Sequence, residues 1–551
     1  MTYNKRLYLL LAILMVIAMA VGGCARVQAL DKEINLNLGA EPPTLDPALT
    51  TDRVSINCTE SLFMGLTNLD EETVEVLPEL ATKWDVSEDG LTWTFKMRED
   101  VQWVHYDPAT QKTTEMGPVT AHDVEYAVKR TLNPETASDY AYVDYIIKNG
   151  QAVNSGESTD LDSIGVRAVN DFTVEFTLEQ PAGYFPAIAG LWVNRPMPQQ
   201  VIGEFGDQWT EPGNLWTTGA YVLDTWEHEN KMVFLKNPYW YDAKDVSIER
   251  VNYVMVEDAS TSLAMYEAGE LDVTDVPVTD MDRIRTDAQL SQELYIGEEL
   301  SSIFYGFNTT KPPFDQTEVR QAFSLAMDRE KVIETVAKGG QKPAKTFAPP
   351  GIFGSPAGDP GFVGAHFDPG RAKQLLAEAG YPDGNGLPQI TLMYPAVEDQ
   401  QKMAEFFQQS WKEILGVEVE LASQEWRVYV GTVIEDAPQI YAMGWNADYP
   451  DENNWVLEIF HPTMSTNEPK WNPELPAAKK FMSVTEEAAS SGDPEERKEL
   501  YFEAEKILVE DEAIIAPVYY DTTTRLTKPY VQRTYAMAGG EQIQNWKVLA
   551  H

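Results

Sequence analysis

Six histidines and two cysteines are all that 551 residues offer as soft nucleophiles or metal ligands. His105, His122, His228, His366, His461 and His551 never stand at ligand spacing from one another, and H-E-x-x-H and C-x-x-C are both missing. No metal site is therefore expected. Gly-x-Ser-x-Gly, which would expose a nucleophilic serine on a tight turn, does not occur. G-x-x-x-x-G-K-[ST] is also missing, so the chain has no phosphate cradle and no ATPase of its own. Aspartate and glutamate total 87, enough to hide an acid/base pair for glycoside hydrolysis, but no spacing singles one out. The expectation is a protein without catalysis and without a cofactor.

One cysteine stands in a motif of a different kind. Lys5 and Arg6 precede an apolar run over 7–20, followed by Val21-Gly22-Gly23-Cys24. A basic start, an apolar core and small residues before a cut read as a secretory signal over 1–23. The run is shorter than the roughly 20 residues a membrane span needs. V-G-G-C resembles the bacterial lipobox, whose cysteine is acylated and becomes the first residue of the mature chain. Acylation of Cys24 would anchor the protein to a membrane. The expected location is extracytoplasmic, at the cell membrane. Cys58 then has no partner for a disulfide and is read as a small buried apolar residue.

Apolar residues make up 43% of the chain and aromatics 11%, which excludes a disordered protein. A chain this long exceeds a single core, so several lobes are expected. The net charge is −45, and cleavage after Gly23 removes Lys5 and Arg6 but no acid. Such a surface repels phosphate backbones, so nucleic acid is excluded as a partner. It also gains nothing from anionic lipid. The surplus acid serves solubility, and a second effect is attraction of cationic ligands.

The elements that must position any site are mixed. Residues 91–97 and 172–178 alternate apolar and polar, the period of half-buried strands, each preceded by a turn signal. Residues 33–38 and 514–520 also read as strands. Thr120-x-x-Asp123 is a capping box before a helix reaching Arg130. A helix from Asp315 carries Val319, Ala322, Phe323, Ala326, Val332, Ile333 and Val336 to a stop at Gly339-Gly340. Asp368-Pro369 and Asp493-Pro494 each place a capping carboxylate before a proline at the first helical position. The class is α/β.

Several segments, in order, resemble bacterial extracellular solute-binding proteins of family 5, the oligopeptide and dipeptide binders. Leu80-Ala81-Thr82-Lys83-Trp84 with Asp89-Gly90-Leu91-Thr92-Trp93-Thr94-Phe95-Lys96-Met97-Arg98 is similar to a block of that family. So are Thr120-Ala121-His122-Asp123-Val124, Asn237-Pro238-Tyr239-Trp240 and Gly269-Glu270-Leu271-Asp272. Val319-Arg320-Gln321-Ala322 with Ala326-Met327-Asp328-Arg329, and Trp445-Asn446-Ala447-Asp448-Tyr449, complete the set. Trp84, Trp93, Phe95, Arg320 and Asp328 are read as scaffold, reporting the fold and not the ligand. The resemblance implies a two-lobed periplasmic-binding-protein fold (type II) with a central ligand cleft and an extra subdomain in the first lobe. The first lobe is placed at 24–72, 200–300 and 517–551, its subdomain at 73–199 and the second lobe at 301–516.

The resemblance also implies a site. In peptide-binding members the aspartate of the W-x-A-D-Y segment takes the ligand's α-ammonium, which points to Asp448, with Trp445 and Tyr449 beside it. The alternative for Asp448 is a turn cap before Pro450. Trp426 fits either a pocket wall or the core. Tyr140 or Tyr142, in the subdomain, is a candidate to reach the cleft. Asn57 and Cys58 lie where the first lobe offers main chain to the ligand in relatives. One departure stands out: 428–443 holds no Arg or Lys, where some oligopeptide binders carry an Arg that reads the peptide's carboxylate. Longer or cationic peptides fit this better than a fixed short length. The implied function is capture of oligopeptides, as a monomer, for the permease of an ABC importer. Oligosaccharide-binding and nickel-chelate-binding relatives remain the alternatives, with a glycoside hydrolase behind them.

Overall fold

A computed structural model describes residues 32–550; the leader and Cys24 lie outside them. The first strand, Glu33–Asn37, pairs in parallel with Arg250–Val254, placing Ile34 opposite Val251. Lys231–Lys236 and Tyr221–Glu227 complete this four-stranded sheet. Segments more than two hundred residues apart thus share one sheet, and the chain between them is free to build a body of its own.

That body holds a second four-stranded sheet, Ala81–Val86, Thr92–Met97, Thr173–Thr177 and Val166–Asn170, all antiparallel. The two alternating stretches are neighbours, with Trp93 opposite Phe176. Trp93, Phe95 and Met97 point inward, and Phe95 meets Phe176 edge to face at 5.7 Å. The helix Ala121–Leu132 opens on the expected capping box, the Thr120 N–H donating to Asp123 at 2.7 Å.

The largest sheet among the described residues runs Val273–Asp275, Ile515–Thr527, Leu294–Phe307, Ile440–Asn446, Ile390–Pro395 and Val419–Gln424, with Lys342–Pro343 also paired to Ile515–Thr527. Its two central strands are long, 14 and 13 residues, and antiparallel. One end of the pair joins Val273–Asp275 on the first-lobe side; the other carries Ile440–Asn446 of the second lobe. Pairing is regular up to Glu298 opposite Thr522 and resumes at Ser302 opposite Tyr520. Glu299, Leu300 and Ser301 therefore lie out of register where the strands pass between lobes, and such a break lets a strand bend. The cores follow the same division. One cluster gathers Ile34, Phe95, Trp192 and Trp209; two others gather Tyr305, Phe323 and Trp411, and Phe347, Trp455 and Tyr501.

Asp368 and Asp493 cap Pro369–Glu378 and Pro494–Lys506 as their sequence requires, accepting from the Arg371 and Glu495 amides at 2.9 Å each. The single helix expected from Asp315 is instead two. Thr317–Leu325 stops, and Arg329–Val332 begins afresh and runs on through 333–337. The reason is Asp328, whose carboxylate accepts from the Lys331 amide at 3.0 Å and makes a new N-terminus inside an otherwise periodic stretch. Arg320 is scaffold: buried, it donates to the Phe314 and Glu512 carbonyls at 2.8 Å each.

Candidate functional site

A cavity of about 450 Å³ opens between the lobes. The out-of-register residues Glu299, Leu300 and Ser301 line it, so the hinge is also part of its wall. The first lobe and subdomain contribute Arg53, Asn68, Tyr140 and Trp192; the second contributes Trp426, Met443, Trp445 and Asp448. Arg53 is spent at the hinge, both terminal nitrogens meeting the Glu299 carboxylate at 3.3 Å.

Asp448 reaches this wall through a defined local structure. The strand Ile440–Asn446 delivers Trp445 to the cavity, and the Ala447 amide then donates to the Leu300 carbonyl at 2.9 Å, tying the turn to the hinge. Asn454, in the wide helical turn Asn453–Leu457, holds this turn from the other side. Its Oδ1 accepts from the Asp448 amide at 2.9 Å and the Trp445 indole at 3.2 Å, and its Nδ2 donates to the Asp448 carboxylate at 3.0 Å. Tyr142 adds its hydroxyl to the same carboxylate at 3.3 Å from the other lobe. Among the described residues no backbone amide is capped by Asp448; in this turn that work falls to Asp451, which accepts from the Asn453 amide at 3.0 Å.

Among the described residues no Lys or Arg forms an ion pair with Asp448. Burial pushes its carboxyl up to about 6, and the bonds from Asn454, Tyr142 and Tyr140 only partly offset this. A buried carboxylate without a counter-charge is costly, and an incoming cation relieves that cost. Its surroundings suit an ammonium group with an organic body. Tyr140 lies 5.4 Å from Tyr142 and 5.1 Å from Trp192, ring centre to ring centre.

The other sequence candidates divide by position. Trp426 is 57% exposed on the first turn of Trp426–Asp436, where it walls the cavity and is not core. Tyr140 lines the cavity, while Tyr142 touches Asp448 from behind. Tyr449 is a correction. It is fully buried, stacks on Tyr184 at 5.5 Å and donates to Glu458 at 2.5 Å, so it backs the site without facing it. Cys58 sits 1% exposed in a core cluster, the buried apolar residue its sequence context suggests, with burial pushing its thiol up; it does not line the cavity. Asn57 borders smaller clefts beside Arg53 and Glu541, not the main cavity.

Sequence reasoning missed Glu299, Arg53, Asn454 and Glu468. The first is hidden in a strand without periodicity, and Glu468 lies in a loop between Asn467 and Pro469. Glu458, pushed up to about 8 by burial, shares the Asn454 amide with Asp448 at 2.8 Å but does not line the cavity. Among the described residues no group of three or more His, Cys, Asp or Glu could hold a metal.

Residues 75–467 match the family described as bacterial extracellular solute-binding proteins, family 5. The oligopeptide-binding protein OppA of Bacillus subtilis is 33% identical over 89% of this chain and 88% of its own length. The murein tripeptide binding protein MppA of Escherichia coli superposes with a TM-score of 0.78 at 30% identity, covering 94% of this chain and 99% of its own. Haemophilus influenzae OppA in complex with RPPGFSPFR gives a TM-score of 0.76 at 28% identity, over 94% and 99%. With the sheet order, the hinge and the cleft already described, these matches settle the kinship: the chain belongs to the bacterial extracellular solute-binding proteins of family 5.

Proposed function

We propose that this protein captures oligopeptides between its lobes and delivers them to the permease of an ABC importer, without altering them. The observation that carries this reading is Asp448: a buried carboxylate on the cavity wall, held by Asn454 and Tyr142 and left without a cation. A peptide's α-ammonium is the group that completes it. Relatives named for oligopeptide, dipeptide and murein peptide binding support the ligand class. The aromatic wall accommodates side chains, and water-mediated contacts in the space beside it would tolerate variety. Trp426, Trp445 and Tyr140 act as that wall, with Tyr142 bracing Asp448 and Tyr449 tied to Glu458 behind it.

Calorimetry on free and N-acetylated forms of the same peptides tests this, with wild type and Asp448→Asn. Free peptides should bind, acetylation should weaken them, and Asp448→Asn should cost free peptides about 2–5 kcal/mol while barely affecting acetylated ones. Binding of an oligosaccharide with no response to any peptide would overturn the reading.

The lobe limits are part of the same proposal; the shared sheet of Glu33–Asn37 and Arg250–Val254 supports a discontinuous first lobe. So is the membrane anchor on Cys24. No helix among the described residues is long and apolar enough to cross a membrane, and acyl chains would supply the attachment. Intact-mass analysis of protein from native membranes should show an acylated Cys24 at the new N-terminus; an unmodified one refutes it.

A further inference from the structure

The cavity is lopsided in charge. Among the described residues lining it, Arg53 is the one cation, against Glu60, Glu299, Asp448 and Glu468. Glu299 is matched by Arg53. Glu60 is matched by Arg195 at 3.0 Å and by the Gly540 amide at 2.6 Å. Asp448 is assigned to the ligand's ammonium. That leaves Glu468.

Glu468 is half-buried and accepts from the Thr466 hydroxyl at 2.7 Å. Its nearest basic neighbour in sequence, Lys470, makes no ion pair with it among the described residues; it donates to the Ile434 carbonyl at 2.5 Å, from where its charge only partly offsets the burial of Glu468. Arg427, beside Trp426, is exposed and does not line the cavity. The loop is held in place: the Thr309 amide donates to the Pro469 carbonyl at 2.8 Å, and Asn467 Oδ1 accepts from the Trp471 amide at 2.9 Å. Glu468 lines the cavity together with residues of the helix Trp426–Asp436 and the strand Ile440–Asn446, and burial raises its carboxyl. On that helix Trp426, Val430 and Ile434 are spaced i, i+4, i+8 and share one face toward the cavity. Met443, from the strand, faces the same space.

Extending the peptide-capture reading, we propose that this corner is a side-chain subsite for lysine or arginine, in which Trp426, Val430, Ile434 and Met443 enclose the methylenes and Glu468 takes the charge. A long stem over an apolar wall with its head on a carboxylate is how such side chains bury. The indole face of Trp426 adds attraction for the cation, and the charge-assisted bond to Glu468 fixes it. The lack of Arg and Lys in 428–443 fits the same chemistry: nothing there competes for Glu468 or repels the guest.

The test uses free-amine pentapeptides of alanine in which one lysine is walked through every position, paired with peptides carrying norleucine there. Norleucine keeps the stem and loses the charge. Calorimetry should find one position at which lysine beats norleucine by tenfold or more. Glu468→Gln should bring that ratio close to one with the norleucine peptides still binding, which also shows that the variant is folded. Glu468→Lys should make glutamate preferred over lysine at the same position. A preference for lysine spread evenly over all positions reports only the net charge of −45 and overturns the subsite. So does a lysine-to-norleucine ratio that Glu468→Gln does not move. If these peptides bind nowhere, peptide capture falls and the subsite with it; if they bind without the positional preference, only the subsite falls.

Discussion

Asp448 carries its charge into a wall of phenols and indoles, and that placement makes its ionisation part of the binding step. Burial pushes its carboxyl up to about 6. The form that pairs with an ammonium is the carboxylate, so acidifying through 6 removes the partner and should weaken free peptides. At the other end, a peptide's own α-amino group loses its proton near 8, so affinity should fall there too. The expected profile is a broad maximum around pH 7, dropping toward roughly tenfold per unit below the lower limb. An N-acetylated peptide should lack both limbs. Asp448→Asn should flatten both limbs as well, since each reports the same charge pair. Calorimetry between pH 5 and 9 reads all three; a free peptide that binds equally at 5 and 7 would place its ammonium elsewhere.

At the scale of elements, what could be read in the sequence was what local rules decide. The Thr120 capping box, the Asp-Pro starts at 368 and 493, and the strands around Trp93 and Val174 each specify themselves, and each formed. The long strand Leu294–Phe307 did not announce itself. Glu298 and Glu299 sit in its middle because the ladder is broken there, and a broken ladder has no period to detect. The site divides in the same way. Trp445 and Asp448 were legible because a resemblance named their segment. Asn454 was not, since it acts from a wide turn whose hydrogen-bond spacing no helical pattern advertises. Glu468 was not, since its meaning depends on Lys470 turning to the end of another helix. Tyr142 finds Asp448 across 306 residues of sequence. A second contact between the lobes, Tyr184 stacked on Tyr449 with the Arg497 guanidinium 5.3 Å from the Tyr184 ring, is equally non-local. These contacts and the hinge strands are where an opening motion must give way.

For the whole molecule, the surplus of acid reaches the interior, and this has a consequence for stability. Burial pushes Glu79, Asp144 and Glu505 up to about 7 and Glu458 to about 8, and Glu452 is raised well above its ordinary value beside Glu505. The Glu505 carboxylate accepts from the Phe347 and Ala348 amides at 3.0 and 2.8 Å, so in that pair the proton belongs on Glu452. In the unfolded chain these groups ionise near 3.9 for Asp144 and near 4.3 for the glutamates. Between those values and about 7 to 8 the folded state holds the extra protons, so stability must fall as pH rises through this window and be greatest on its acid side. Repulsion among surface carboxylates acts in the same direction, but 1 M salt shortens its range to about 3 Å, whereas buried groups are screened far less. Calorimetric melting in 1 M salt should therefore still give a higher Tm at pH 5 than at pH 8. Glu452→Gln keeps a donor toward Glu505 and has no proton to lose. It should leave the melting temperature at pH 5 almost unchanged and raise it at pH 8, making the slope shallower. Equal melting temperatures at the two pH values in high salt would mean that water or motion relieves these carboxyls, and the interior would then not govern the acid response.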